Sequence, residues 1–251
     1  MGIYGVTFGD KHTYRDWGLL PTLRPEVSPP EPKITRVNIP GADGSLDLTQ
    51  ALTDDIKYKN RIIDFEFLVI GGRERWSMLY SDILDYLHGQ NMQIILDEDP
   101  EYYYNGRVGV DSWKSNQDTS RIALVAEVEP YKLSRISTTE PWLWDIFNFE
   151  TGVITNYNEM PFDSVTHRFQ RFPMIVTGRK WVVPTITVTS SNDEDVVLSV
   201  KGRNGVKSVT CQSGVPKKDY SIVFDSAHTC YVSITTQTTG TLTVDYRTGR
   251  L

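Results

Sequence analysis

The chain has 251 residues, which is enough to bury one large hydrophobic core or two ordinary ones. Its composition is 39% hydrophobic and 23% charged with a mean hydropathy of −0.34, which excludes a disordered chain as the default interpretation. No apolar run approaches the ~20 residues of a membrane helix. The start, Met1-Gly2-Ile3-Tyr4, lacks the features of a secretion signal, so folding in a cytoplasm is expected.

The net charge of −6 is shared unevenly. Residues 1–132 carry 14 basic and 21 acidic side chains, whereas residues 133–251 carry 12 and 11. An acidic half disfavours binding to a nucleic-acid backbone, which requires lysine and arginine.

The segment from Asp16 to Leu48 is the most distinctive part of the chain. It opens with Asp16-Trp17-Gly18-Leu19-Leu20-Pro21 and continues into a connector that contains Pro29, Pro30 and Pro32. These prolines hold the backbone extended and remove N–H donors, so they predict a strut and not a helix. Pro40-Gly41-Ala42-Asp43-Gly44 predicts a turn whose glycines adopt positive φ, followed by a strand at Leu46-Asp47-Leu48.

The rest of the first half predicts an α+β domain with a mainly antiparallel sheet or split barrel. Alternating apolar residues within Lys57–Ile70 indicate a strand with one buried face. Arg73–His88 has the apolar spacing of an amphipathic helix, closed by Gly89, with His88 placed to interact with the helix dipole. Further strands are predicted at Gln93–Leu96, Tyr102–Val110 and Arg121–Val128.

The second half changes character after a transitional stretch from residue 134 to about 170. Short β-rich runs then recur at nearly regular spacing without helical periodicity, which is typical of a β-sandwich. We therefore predict two domains, residues 1–133 and 134–251. The predicted strands of the sandwich are Met174–Thr177, Thr185–Thr189, Val196–Val200, Val206–Cys211, Tyr220–Phe224, Tyr231–Thr235 and Thr241–Tyr246, with a hairpin turn at Gly202-Arg203-Asn204-Gly205.

Few residues suggest chemistry. The four histidines have no metal-ligand spacing, and no motif of a serine nucleophile or phosphate loop occurs. The acidic runs Asp97–Glu101 and Asn192–Asp195 resemble calcium ligands in type, but solvated loops explain them better. Cys211 and Cys230 are expected to be reduced thiols in a core, with a disulfide as the alternative. No enzyme activity and no cofactor or metal is predicted.

Aromatic residues offer one possible ligand surface. Trp142, Trp144 and Trp181 could stack against sugar rings, because an aromatic face presents apolar area to the C–H side of a sugar. Packing between or within domains is the alternative explanation for the same residues.

The order of apolar opening, proline strut, Pro40–Gly44 turn and Leu46-Asp47-Leu48 strand resembles the N-terminal domain of the siphophage distal tail protein family. The resemblance extends over the whole chain in length and domain order. It implies a virion structural protein of a phage or prophage tail tip, whose N-terminal domains form a hexameric ring around a DNA channel, with stacked rings as a further form. It also implies a galectin-like or carbohydrate-binding-module-like second domain, here without a long inserted arm.

The resemblance implies partners as well. The ring would contact further copies of this chain, the tail tube protein, a tail-associated lysin or tail fibre hub protein, and receptor-binding or baseplate proteins, with no membrane involved. An acidic N-terminal half would then let DNA pass without sticking, although ordinary solubility explains the same charge. A carbohydrate-binding module for host wall polysaccharide is the alternative function. The candidate interface residues are Trp17, Pro29, Pro30, Pro40, Gly41, Asp43 and Gly44.

Overall fold

The computed structural model describes residues 5–51, 53–140, 156–167 and 170–251. The chain forms two compact units, Met1–Lys132 and Leu133–Leu251, each with its own hydrophobic core. Both units are built mainly from antiparallel strands, so the predicted mainly-β class is confirmed. Among the described residues, no helix has the length and apolarity needed to cross a membrane.

The N-terminal unit contains one large antiparallel sheet. Its strand order is β2-β1-β8-β9-β10-β7-β3. Strand β4 also pairs with β7, at Ile63 and Asp64, while β3 pairs with residues 67–69 of the same strand. The strands are β1 (Val6–Phe8), β2 (Lys11–His12), β3 (Leu19–Pro21), β4 (Glu26–Val27), β7 (Arg61–Val69), β8 (Asn91–Leu96), β9 (Tyr102–Ser115) and β10 (Ser120–Val128). A separate hairpin consists of β5 (Arg36–Asn38) and β6 (Ser45–Asp47).

The ladder between β7 and β10 is the longest regular pairing next to the core. It runs without a break from Arg61↔Val128 to Leu68↔Arg121. Alternate β7 residues such as Ile63, Phe65 and Phe67 are buried, as the sequence periodicity predicts. Between β10 and β9 the register shifts at Ala123/Leu124, a bulge of the kind that increases local twist and helps a sheet to curl.

One amphipathic helix packs into the same core. A 3-10 turn at Arg73–Arg75 leads into α2 (Trp76–Leu87), whose buried residues are Trp76, Leu79, Ile83 and Leu87. The predicted helix is confirmed, and Gly89 follows it at a φ of 77°. His88 is the residue that caps this helix at its C-terminus, and its Nδ1 atom accepts a hydrogen bond from the N–H of Val110 (3.0 Å). This bond ties the end of the helix to β9.

The first residues form structure that the sequence pattern did not predict. Helix α1 (Thr13–Trp17) begins after His12, whose Nδ1 accepts from the N–H groups of Tyr14 and Arg15 (3.2 Å each). Because Nδ1 is an acceptor, Nε2 carries the proton and donates to Asp97 Oδ2 (3.0 Å). Asp97 Oδ2 also accepts from the N–H of Gly5 (2.8 Å). A contact 85 residues away in sequence thus fixes a five-residue helix, and local periodicity cannot reveal it.

The C-terminal unit contains two four-stranded antiparallel sheets that share one core, as expected of a β-sandwich. Their strand orders are β12-β19-β14-β17 and β13-β18-β15-β16. The strands are β12 (Met160–Asp163), β13 (Arg171–Met174), β14 (Thr185–Ser190), β15 (Val196–Gly202), β16 (Gly205–Cys211), β17 (Lys217–Lys218), β18 (Cys230–Ile234) and β19 (Thr239–Asp245). Short strands β11 (Lys132–Ser134) and β20 (Gly249–Arg250) lie near its two chain ends.

Two details of the predicted sandwich are wrong. Tyr220–Phe224 is not a strand: the Asp219 carboxylate accepts from the N–H and hydroxyl of Ser221 and builds a turn, and only Phe224 forms an isolated bridge, to Val182. The strand predicted at Met174–Thr177 lies earlier, at Arg171–Met174. The hairpin turn at Gly202–Gly205 is confirmed by the pairing of these two glycines between β15 and β16.

The two cysteines are both free and buried. Cys211 pairs with Val196 on β15, while the register of β18 on β15 places Cys230 beside Gly202. Six residues of strand separate these positions, roughly 20 Å at the usual rise. A disulfide needs Cα atoms within about 7 Å, so this fold keeps the two thiols apart.

Gly106 and Gly109 in β9 provide a matched test of the β9–β10 packing. A Cβ on Gly106 would clash with the carbonyl oxygen of Glu127, whereas one on Gly109 would meet nothing closer than 3.7 Å. We expect Gly106→Ala to destabilise the N-terminal unit by about 2 kcal/mol or more through overpacking. Gly109→Ala should stay within about 0.5 kcal/mol of wild type. Urea denaturation read by hydrogen exchange of N-terminal peptides checks this, and equal midpoints for both variants would contradict it.

His12→Ala tests the cap of α1. The variant loses the two hydrogen bonds that His12 Nδ1 accepts from the helix, and of the two donors to Asp97 only the Gly5 N–H remains. We therefore expect the free energy of unfolding of this region to fall by about 2 kcal/mol. The same exchange measurement on peptides within residues 5–51 reports it. His167→Ala, at an exposed histidine, is the control and should change the midpoint little. An unchanged exchange rate at Tyr14 and Arg15 in His12→Ala would show that the cap is unimportant.

Candidate functional site

The hairpin of β5 and β6 stands apart from the main sheet. Its register pairs Arg36 with Asp47, Val37 with Leu46 and Asn38 with Ser45. Among the described residues, neither strand pairs with a third strand. Residues 31–48 are all exposed. We call residues 31–51 and 53–59, which contain this hairpin and its connections, the arm.

The tip of the arm is the turn that the sequence predicts. Gly41 and Gly44 have φ values of 82° and 78°, a region that glycine adopts without strain. The N–H of Ala42 donates to Ile39 O (3.2 Å) and closes the turn. A Cβ added to either glycine would meet no atom within 4 Å, so backbone conformation and not crowding explains these glycines.

The two faces of the hairpin differ in chemistry. Since side chains alternate across a strand, residues 37, 39, 46 and 48 share one face, and residues 36, 38, 45 and 47 share the other. The first face is apolar, and we call it the apolar stripe: Val37, Ile39, Leu46 and Leu48. The second face is polar and carries an ion pair between Arg36 and Asp47 (3.9 Å).

The apolar stripe is exposed, which is unusual for such a face. The exposed fractions are 45% for Val37, 48% for Ile39, 49% for Leu46 and 36% for Leu48. A two-stranded hairpin has no layer of its own against which to bury side chains. A contiguous exposed apolar face with a polar reverse side marks a surface made to contact another one.

The base of the arm is fixed by backbone hydrogen bonds. The N–H of Lys33 donates to Lys57 O (2.7 Å), and the N–H of Lys59 donates to Glu31 O (2.8 Å). Pro32 and Tyr58 form a bridge between these bonds. Tyr58 also packs edge-on against Tyr131 (6.1 Å between ring centroids). The arm therefore leaves the sheet just before β7 with a defined direction.

The predicted interface residues fall into three places. Pro40, Gly41, Asp43 and Gly44 form the exposed tip, and Pro29 and Pro30 lie at the entrance to the base, with Pro29 exposed and Pro30 half-buried. Trp17 is 7% exposed and packs against Tyr86 in the core, so it maintains the fold and lies outside the exposed arm. The sequence analysis missed the apolar stripe. Its signal was present, because apolar and polar residues alternate on both sides of the turn.

Of the three tryptophans considered for sugar contact, one lies within the described residues. Trp142 and Trp144 lie outside the described residues. Trp181 is 40% exposed in the C-terminal unit, beside the bridge between Val182 and Phe224.

The acidic run at Asp97–Glu101 is used within the fold. Asp97 holds Gly5 and His12, and Asp99 forms an ion pair with Lys132 (2.6 Å). In the part of the chain that the structure describes, no group of three or more acidic, histidine or cysteine side chains is placed to hold a metal ion.

Asp225, His228 and Cys230 have the composition of a cysteine-nucleophile site but not its geometry. The His228 ring contacts Asp225 (2.9 Å), but Cys230 Sγ points to the carbonyl oxygens of His228 (3.6 Å) and Asp225 (3.8 Å). Cys230 is only 2% exposed, and burial raises the pKa of its thiol. A nucleophilic cysteine needs access and a lowered pKa, so this cluster is structural.

No protein family model matches the chain, and no curated protein matches it in sequence. Among solved structures, the chain is similar to the Dit (gp 19.1) protein of SPP1, described as a paradigm of the hub adsorption apparatus in phages that infect Gram-positive bacteria. The TM-score is 0.64 at 13% sequence identity, and the alignment covers 98% of this chain and 99% of the other. The fold expected from the distal tail protein resemblance is thereby confirmed over both units: this chain has the fold of a phage hub protein.

Proposed function

We propose that the chain is a distal tail protein: a structural protein of a siphophage or prophage tail tip that forms a ring hub between the tail tube and the host-binding apparatus. The exposed amphipathic arm is the observation that carries the proposal. The likeness to the SPP1 hub protein over nearly the whole of both chains supports it.

In the proposed ring, the arm of each copy lies on the next copy. A contact between two different surfaces, repeated by rotation, generates a closed ring when the rotation permits. The apolar stripe supplies the surface to be buried, and the polar face of Arg36 and Asp47 stays toward water. The fixed base reduces the conformational entropy lost on association, because the arm is already directed before it binds.

The proposed ring is a hexamer of residues 1–133 with a central channel for DNA. The excess of acidic over basic side chains in residues 1–132 fits a wall that repels the phosphate backbone and lets DNA pass. The partners proposed are the tail tube protein on one side and, on the other, a tail-associated lysin or tail fibre hub protein with receptor-binding or baseplate proteins. The protein would be made in the host cytoplasm and act in the virion, without catalysis.

The proposal is tested by the absolute mass of the purified protein, from light scattering behind a sizing column, with negative-stain images of the same fractions. We expect particles of six copies, or of two stacked rings, with a central hole. The same measurement is repeated with the purified tail tube protein of the same phage. Monomers over a wide concentration range, both alone and with that partner, would refute the ring.

The double variant Val37→Asp/Leu46→Asp tests the arm itself. It places two charges opposite each other on the apolar stripe, so we expect loss of the oligomer by light scattering. Both positions are exposed, so the free energy of unfolding of the monomer should change by no more than about 0.5 kcal/mol. A melting curve of the monomer checks this.

The matched control is Val206→Asp, which charges an exposed strand valine of the C-terminal unit (58% exposed). It should leave the oligomer intact. If Val37→Asp/Leu46→Asp assembles like wild type, the arm is not the ring contact, even where a ring is seen.

A further inference from the structure

The C-terminal unit contains a cavity of about 370 Å³ on one sheet face of the sandwich. Core residues Leu198, Val200 and Val232 point to the opposite face of the same sheet, so the cavity opens away from the core. We call it the trough. Its lining includes Arg171, Ser199, Tyr231, Ser233, Thr235 and Gln237.

Strand register explains the shape of the trough. Arg171 of β13 lies opposite Ser233 of β18, which lies opposite Ser199 of β15, which lies opposite Ser208 of β16. A row of serines thus crosses the sheet and forms a low floor. On the neighbouring row stands the much larger Tyr231. Small side chains beside a large one leave a depression, and its floor carries hydroxyl groups.

The floor retains hydrogen-bonding capacity. Ser233 Oγ donates to Ser199 O (3.1 Å), which orients the hydroxyl and leaves its lone pairs as acceptors. Gln237 and Thr235 add exposed polar side chains at the edge. An oriented set of hydroxyl and amide groups on a sheet is suited to a ligand that itself carries many hydroxyls.

The trough is cationic. The Arg171 guanidinium lies 4.9 Å from the centroid of the Tyr231 ring, and Lys201 Nζ lies 5.8 Å from it. The register places these two cations on strands at either side of Tyr231. The described residues that line the trough include no aspartate or glutamate, and Lys201 lies next to this lining, over the Tyr231 ring. An anion would therefore meet Arg171 in the trough and Lys201 beside it.

We propose that the trough binds one unit of an anionic glycan, a sugar that carries a carboxylate or a phosphate. The Arg171 fork would pair with the anionic group, with Lys201 adding charge, and the serine floor would bind sugar hydroxyls. The cavity volume is at the lower end of the range for small-molecule sites, which suits a short glycan segment. Trp181 is not among the residues that line this site, and the site does not depend on the proposed ring.

The test is calorimetric titration of the full chain at physiological ionic strength with four probes. A hyaluronan tetrasaccharide supplies a carboxylate on a sugar, glucose 1-phosphate supplies a phosphate on a sugar, chitotetraose is the neutral glycan, and inorganic phosphate is the anion without a sugar. We expect one or both anionic sugars to bind at least about tenfold more tightly than the two reference probes, as charged hydrogen bonds predict. Which anionic sugar binds more tightly identifies the anion.

Two variants and a control assign the binding to the trough. Arg171→Met removes the charge and keeps a side chain on Tyr231, and Ser199→Leu fills the floor without changing charge. Both should weaken binding about tenfold or more. Lys218→Met is the matched control, since Lys218 lies over the Tyr220 ring (5.5 Å) in the same unit but outside the trough. Melting curves check that all three variants fold.

The remaining outcomes would overturn the proposal. Equal binding of chitotetraose would remove the role of charge, and equal binding of inorganic phosphate would reduce the trough to an anion site. Equal losses in Arg171→Met and Lys218→Met would show nonspecific attraction. No heat with any probe up to about 10 mM would place the affinity below a useful range.

Discussion

The antiparallel ladder between β7 and β10 is the constraint on which the N-terminal unit depends. It fixes alternate β7 residues such as Ile63 and Phe67 against the core, and it gives β3 and β4 an edge to pair with. A single residue separates the end of the arm from the start of β7, so the direction of the arm is set by the same ladder. A register slip by one residue would turn the core side chains to the other face and release the base of the arm together with the core.

The arm is held by the N-terminal unit at its base, but its apolar side chains are not buried there. Its base is satisfied by backbone hydrogen bonds at Lys33 and Lys59, whereas its apolar stripe has no surface to cover it within the described unit. Burial of apolar area stabilises a structure only where two surfaces meet. In the proposed ring, the stripe would therefore contribute its free energy on association and not on folding. Backbone hydrogen bonds can thus orient the arm within one copy while the apolar area of the stripe is still available for burial against another.

How much the sequence could predict depended on the range of the interactions. Helix α2 and the strands β7 and β10 repeat their apolar residues with the period of the element, so local pattern was sufficient. The Pro40–Gly44 turn was predictable because its glycines need positive φ. Helix α1 was not, since its cap depends on His12 and on Asp97 far along the chain. Tyr220–Phe224 has the composition of a strand, but the Asp219 side chain competes for its backbone. The serine row of the trough emerges only from strand register, which no single strand encodes.

The two proposed surfaces depend on different interactions, so they should respond differently to added salt. The apolar stripe gains stability from area removed from water, which added salt weakens little and can strengthen. The trough gains it from Arg171 and Lys201, whose attraction for an exposed anion is screened over about 8 Å at physiological ionic strength. Raising the salt concentration should therefore release a bound anionic sugar while a ring held by the stripe persists. In the proposed hub, the oligomeric state would therefore stay the same over a range of salt concentrations in which the affinity for an anionic sugar changes.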